Sequence, residues 1–155
     1  MLTLKYKHKT LTSTLQLLEQ GGNKTRECVV LWLGKRNGNE VSIEQVYLPE
    51  QKSGVDVFHI PPNSMQTLMK YLKEHRLMVA AQVHTHPGRA FHSQADDEWA
   101  FVRHEGAISI VLPNFAKSTT SLNYWKEAET YCLSKKNTWE HISGISLHNC
   151  CREVK

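Results

Sequence analysis

Apolar residues recur along the chain with two spacings, one typical of helices and the other of strands. Helical spacing predicts a first helix over residues 11–20, which Gly21 ends, and a second over residues 65–76. Ser93, with an acidic residue three positions on, is a candidate N-cap for a third helix that reaches about Val102. The chain therefore contains at least three amphipathic segments.

Runs rich in β-branched and aromatic residues predict strands between these helices. The longer runs cover residues 27–34, 40–48, 77–83 and 107–112. Shorter ones cover residues 56–60, 121–125 and 139–146, with a helical turn expected between the last two. The Asn37-Gly38 pair predicts a tight hairpin between the first two strands. The order of elements indicates an α/β fold with a mixed sheet flanked by helices, and we expect residues 1–155 to form a single domain.

Composition narrows the class of protein. Of the 155 residues, 40% are hydrophobic and 22% charged, as in ordinary globular domains. No apolar run approaches the roughly 18 residues of a membrane-spanning helix, and residues 1–9 lack the features of a secretory signal, so we expect a cytoplasmic protein without membrane contact. The net charge of +4 is scattered along the chain, which disfavours nucleic-acid binding.

The four cysteines form no C-x-x-C pair, and we expect reduced thiols. Cys28 lies in an apolar run, where packing is its expected role.

The most informative stretch begins at His84-Thr85-His86-Pro87, directly after an apolar strand. We expect two histidines at this spacing to point to opposite faces of a flat strand, so that both reach one metal ion only where the strand ends and twists. The helix that begins at Ser93 would then return a carboxylate to them. Two imidazoles and one oxygen are a ligand set of catalytic zinc, whose fourth position holds water. Zinc lowers the pKa of that water to about 7, so that the resulting hydroxide can attack a carbonyl.

Two further residues fit this chemistry. Glu27 is a carboxylate at the head of the first apolar strand, where a core strand favours other residue types, and it is a candidate general base. Ser93 could donate a hydrogen bond to a tetrahedral oxyanion. Each residue alone has an ordinary interpretation, as a solvated strand-edge carboxylate or a helix cap. The conjunction of the glutamate, H-x-H-P and S-x-x-D favours a metallopeptidase site.

At these residues the sequence resembles the JAB/MPN metallopeptidases, whose JAMM signature is a glutamate on an early strand followed by H-x-H-P and S-x-x-D. The resemblance runs from the Glu27 strand through Leu112. It implies the MPN fold, a cytidine-deaminase-like α/β fold with a curved mixed sheet, and one catalytic Zn²⁺. It also implies that His84 and His86 are metal ligands, Glu27 the base and Ser93 the oxyanion donor.

The same resemblance implies a substrate, namely ubiquitin or a ubiquitin-like protein cleaved after its C-terminal glycine. The motifs H-T-H-P-G and F-H-S-x-x-D-D-x-W-A resemble those of the bacterial branch of this family, which is encoded beside activating and conjugating enzymes in antiphage operons. The expected partners are therefore a ubiquitin-like protein or its conjugates and, in the same operon, activating and conjugating enzymes.

The third metal ligand has two candidates. The usual family spacing from the second histidine selects Asp97, whereas S-x-x-D selects Asp96. We prefer Asp96, because the serine and the ligand must share one helical turn while the loop ahead of them can lose a residue. Asp97 would then cap or solvate the helix. His92 is expected at the loop or substrate rim, since a fourth protein ligand would close the site to water.

Three functions follow from this interpretation. The first is a zinc-dependent isopeptidase or peptidase that removes a ubiquitin-like modifier or processes its C-terminus, by Glu-assisted attack of zinc-bound water. The second is a catalytically silent scaffold of the same fold, although such members generally lack the ligands. The third is a peptidase that releases an amino acid from a small sulfur-carrier protein, which nothing in the sequence excludes.

Overall fold

The computed structural model describes residues 1–54, 58–94, 96 and 100–155. The strands are β1 (Thr3–Lys7), β2 (Val29–Asn37), β3 (Glu40–Tyr47), β4 (Lys52–Ser53), β5 (Phe58–His59), β6 (Met78–Thr85), β7 (Ile108–Leu112), β8 (Glu129–Leu133), β9 (Trp139–Ile142) and β10 (Cys151–Val154). The helices are α1 (His8–Gly22), α2 (Pro62–His75), α3 (Tyr124–Glu127) and α4 (Gly144–Cys150), with a 3-10 turn at Asn114–Ala116.

All strands except β4 and β5 form one strongly curled mixed sheet with the order β10-β1-β3-β2-β6-β7-β8-β9. β1 runs parallel to β10 and to β3, and β6 runs parallel to β7. The remaining neighbours in this sheet are antiparallel. This agrees with the predicted curved mixed α/β sheet. β6 lies between β2 and β7, so both of its edges are hydrogen-bonded.

The two faces of the sheet carry separate apolar cores. Alternate residues of β2 point to opposite faces, so Val30 and Trp32 pack on the side of α1 while Val29 and Leu31 pack on the side of α2. The Trp32 indole N–H also donates to Thr14 Oγ1 on α1 at 2.8 Å. Burial on both faces explains why this segment reads as a continuous apolar run.

The longer elements lie close to their predicted positions. α1, α2, β2, β3, β6 and β7 each overlap the corresponding prediction, and Cys28 is buried as expected. The two-residue hairpin turn is Gly38–Asn39, with φ of 62° at Gly38. Of the strand expected over residues 56–60, Phe58 and His59 form β5, whereas residues 55–57 lie outside the described chain.

The short elements were predicted less well. The strand expected over 121–125 is a turn followed by α3, because Thr120 and Asn123 exchange side-chain-to-backbone hydrogen bonds that fold the chain locally. The strand expected over 139–146 ends at Ile142, before the positive φ of 55° at Gly144. The third helix does not reach Val102, since residues 100–103 are not helical.

Strands β1, β8 and β10 were missed altogether. Each is four or five residues long and mixes polar with apolar residues, whereas β7, also five residues long, is almost wholly apolar. Among the described residues, no helix combines the length and the apolar character needed to cross a bilayer.

Candidate metal centre

His84 and His86 lie at the end of the central strand β6 and just beyond it. The expectation that the two histidines face opposite sides of a flat strand was wrong. Residues i and i+2 of an extended chain point to the same face, so the two imidazoles share one side of the sheet without a twist. His84 is opposite Val29 of β2 on one edge and Val111 of β7 on the other. Both side chains are buried. Their backbones are therefore held from two sides.

Pairing continues beyond the strand at His86. Its backbone N–H donates to Leu112 O at 2.9 Å, and its carbonyl oxygen accepts from the Phe115 N–H at 2.8 Å. The next turn is fixed as well, because Asn114 N–H donates to Gly88 O at 2.9 Å. This second layer of support comes from the segment after β7.

Asp96 brings the third candidate ligand to the histidines. Gln94 and Asp96 have helical backbone, and Ser93 precedes them. Ser93 N–H donates to Asp96 Oδ2 at 2.8 Å, while Asp96 N–H donates to Ser93 Oγ at 3.0 Å. This reciprocal pair is the geometry of a capping box, and it aims the carboxylate at the end of β6. Asp97, the other candidate ligand, lies outside the described residues.

One oxygen of Asp96 touches both imidazoles. Oδ2 lies 3.2 Å from His84 Nε2 and 3.1 Å from His86 Nε2, and the carboxylate side chain is only 8% exposed. Burial acts to raise the pKa of Asp96, but hydrogen bonds from His84 and His86 and from the Ser93 backbone outweigh it, so the pKa lies below its ordinary value. The site thus keeps a buried carboxylate in its ionised form.

The donor set fits a zinc ion. One ligand atom from each of His84, His86 and Asp96 lies within 4.8 Å of the others. Ligands about 2.1 Å from a tetrahedral ion are separated by about 3.4 Å, close to the two His–Asp distances. In residues 1–54, 58–94, 96 and 100–155, no other group of three or more His, Cys, Asp or Glu side chains is arranged in this way.

Glu27 approaches the same face from β2. The Cys28 backbone is paired with Thr85 through Thr85 N–H to Cys28 O and Cys28 N–H to Thr85 Oγ1, both 3.1 Å. Continued by one residue, this register would place Glu27 opposite His86, on the face that carries both imidazoles. Glu27 is buried, and its backbone N–H donates to Gly54 O at 2.8 Å. A buried carboxylate therefore lies on the chain segment that neighbours the histidine-bearing strand.

Ser93 is suited to donate a hydrogen bond into the site. Its Oγ accepts from the Asp96 N–H, which uses an oxygen lone pair and not the hydroxyl proton. The side chain is half-buried beside the candidate ligands.

The rim of the site contains contacts that the sequence did not indicate. The backbone N–H of His92 donates to the Tyr131 hydroxyl at 3.2 Å, and the His92 ring packs against Tyr131 and Trp139 at 4.9 and 5.2 Å. Its centroid lies 6.4 Å from that of His84, and His92 is not part of the three-residue cluster. The β8–β9 hairpin thereby holds the loop that leads to Ser93. Only the tertiary fold reveals Tyr131, because β8 itself was not predicted.

Trp125 packs in the core against Tyr6 and Trp32. Trp99 lies outside the described residues.

Comparison with known proteins agrees with this geometry. Residues 15–126 match the family described as prokaryotic homologs of the JAB domain. A protein of Sinorhizobium fredii named "Probable metalloprotease y4jG" is 32% identical over 141 residues, covering 87% of this chain and 85% of that protein.

Solved structures show the same fold at low sequence identity. The solution structure of protein DSY2949 from Desulfitobacterium hafniense has a TM-score of 0.67 at 17% identity, covering 98% of this chain and 94% of that one. A solution structure from Salinibacter ruber has a TM-score of 0.56 at 14% identity, covering 90% and 88%.

Proposed function

This chain belongs to the family of prokaryotic homologs of the JAB domain, and from that premise we propose that it is a zinc-dependent metallopeptidase that releases a ubiquitin-like protein from its conjugates or processes its C-terminus. The observation that carries the proposal is the convergence of His84, His86 and Asp96 at the end of β6. The name of the Sinorhizobium relative, a probable metalloprotease, supports the same class of reaction.

In this proposal His84, His86 and Asp96 hold the ion. Zinc bound there would polarise the scissile carbonyl and bring the pKa of a water molecule from about 15.7 to about 7. Glu27 takes up the proton of the attacking water and delivers it to the departing amine, a task for which its buried position on the same face is suited. The Ser93 hydroxyl donates a hydrogen bond to the carbonyl oxygen as negative charge develops there.

An extended C-terminal tail is the substrate that the rim supports best. β9 is an edge strand of the sheet, and its Trp139 packs on His92 beside His84. Among the described residues no strand pairs with the outer edge of β9, and a tail could pair its backbone there and present its last peptide bond to the ligands. Such pairing gives affinity with little demand on side chains. Activating and conjugating enzymes encoded nearby remain the predicted partners.

The test uses Glu27→Gln, with the exposed Glu44→Gln on β3 as a matched control. We expect Glu27→Gln to keep its zinc while turnover falls by about 10²–10⁴-fold, because only the proton transfer is lost. Cleavage is followed on a ubiquitin-like protein joined through its C-terminal glycine to a lysine side chain. Full activity of Glu27→Gln would refute the assigned base.

Two further outcomes separate the alternatives. If the purified protein binds no zinc when zinc is supplied, the silent scaffold is favoured over an enzyme. If the zinc-loaded protein cleaves a small sulfur-carrier protein with an added C-terminal amino acid but not the isopeptide conjugate, the third function replaces the first.

A further inference from the structure

The ring of His92 lies just outside the candidate metal centre. Its centroid is 6.4 Å from that of His84, whereas the centroids of His84 and His86 are 5.2 Å apart. Two imidazoles on one tetrahedral ion, with metal–nitrogen bonds of about 2.1 Å, have ring centroids about 5.3 Å apart. The separation of His84 and His86 therefore matches shared coordination, and His92 is too distant from His84 by about 1 Å.

A third imidazole at this distance has a chemical consequence. Imidazole is a common zinc ligand, and a zinc ion held by four protein ligands is a closed site with no position for water. His84, His86 and Asp96 supply three ligands, and His92 is outside their cluster. A shift of about 1 Å is no larger than ordinary thermal displacement of a side chain. Something must therefore hold the His92 ring away from the ion.

The β8–β9 hairpin makes the contacts that oppose this shift. The Tyr131 hydroxyl accepts a hydrogen bond from the His92 backbone N–H at 3.2 Å. The centroids of the Tyr131 and Trp139 rings lie 4.9 and 5.2 Å from that of the His92 ring, within the range of attractive aromatic pairs. Tyr131 is supported in turn by the His141 ring on β9, at 5.3 Å. Both strands of the hairpin thus hold His92 from the side of the sheet edge.

We propose that Tyr131 and Trp139 are positioning residues that keep the fourth coordination position of the ion open by holding the His92 ring away from it. The inference rests on the proposed zinc-dependent function. When the two contacts are lost, a ring nitrogen of His92 replaces the water molecule on the ion. The exchange is of one neutral ligand for another, so no electron is transferred, and it binds the ion more tightly while removing the attacking water.

The experiment compares the wild type with a chain that carries both Tyr131→Phe and Trp139→Leu. X-ray absorption of the zinc-loaded proteins should show two imidazole ligands in the wild type and three in the doubly substituted chain. Zinc affinity, measured by competition with a chromophoric chelator, should rise by about tenfold while kcat falls by about tenfold or more. Tyr71→Phe is the matched control, because it removes a hydroxyl that donates to Gln45 Oε1 at 2.6 Å between α2 and β3.

Adding His92→Phe distinguishes this role from a merely structural one. In a chain that already carries His92→Phe, we expect Tyr131→Phe and Trp139→Leu to change neither zinc affinity nor kcat by more than about twofold, because no third imidazole remains. General damage to the site would lower zinc affinity and would persist in this background. Tyr131→Phe alone removes a single oxygen atom, and it should shift affinity and kcat in the same directions by smaller factors.

Three results would overturn the proposal: three imidazole ligands in the wild type, two in the doubly substituted chain, or a loss of kcat that His92→Phe does not reverse. A wild type that binds no zinc would instead refute the proposed function, so the two failures are distinguishable.

Discussion

Asp96→Asn keeps the shape of the side chain and removes its charge. The carboxylate accepts from the Ser93 N–H at 2.8 Å and lies 3.1 and 3.2 Å from the two imidazole nitrogens. An amide can still accept from Ser93, so the local turn should persist. The amide cannot supply an anionic oxygen to a cation, and we therefore expect zinc affinity to fall by at least about 100-fold. This exceeds the usual loss when a residue that only hydrogen-bonds to a metal ligand is removed.

The size of this loss can be expressed as a melting temperature. At a zinc concentration 100 times Kd, binding stabilises the wild type by about 2.7 kcal/mol. A variant with 100-fold weaker binding gains about 0.4 kcal/mol at the same concentration. For a domain of this size each kcal/mol moves the Tm by about 2–4 °C, so zinc should raise the wild-type Tm by roughly 5–11 °C and that of the variant by about 1 °C.

Zinc affinity is measured by competition with a chromophoric chelator, and the Tm by calorimetry with and without zinc. Asp97→Asn is the matched control, because Asp97 is the other candidate for the third ligand. The reasoning is refuted if Asp97→Asn loses zinc while Asp96→Asn retains it.

Three further predictions concern catalysis, the rim and packing. Ser93→Ala should lower kcat by about 10²-fold with zinc content unchanged, measured with the isopeptide conjugate, since one oxyanion donor is lost; unchanged kcat would contradict that role. Tyr131→Phe removes the hydroxyl that accepts from the His92 N–H. Hydrogen exchange of the His92 backbone amide should therefore accelerate by about fivefold, equivalent to about 1 kcal/mol. An unchanged exchange rate would show that this hydrogen bond is not needed to hold the loop. Gly34→Ala would bring a Cβ within 2.6 Å of a backbone oxygen of β3 and should lower the free energy of unfolding in urea by about 1–3 kcal/mol. Gly88→Ala is the control, because Gly88 has open space around it and the free energy should not change. Equal effects of the two substitutions would indicate that the close contact is not the cause.

The fold was predictable where periodicity had room to develop. α2 extends over 14 residues, so its helical spacing stands out, and β2 is recognised by five consecutive apolar residues at its start. Short segments such as β8 offer too few positions, and there a local hydrogen-bonded turn or a glycine decides the outcome. The predicted strand at Ser121 was wrong for this reason, because the Thr120–Asn123 turn is stronger than a weak extended preference.

The sequence by itself determined the candidate ligand types and their local geometry. H-x-H on a strand presents two imidazoles to one face, and S-x-x-D spans one helical turn, because both spacings follow from the period of a single element. Only the tertiary structure decided that the chain next to Glu27 pairs with Thr85, between the two histidines, and that Tyr131 holds the His92 loop. Those contacts depend on strand order and on the curl of the sheet, which arise from packing the whole chain and leave no period in the sequence.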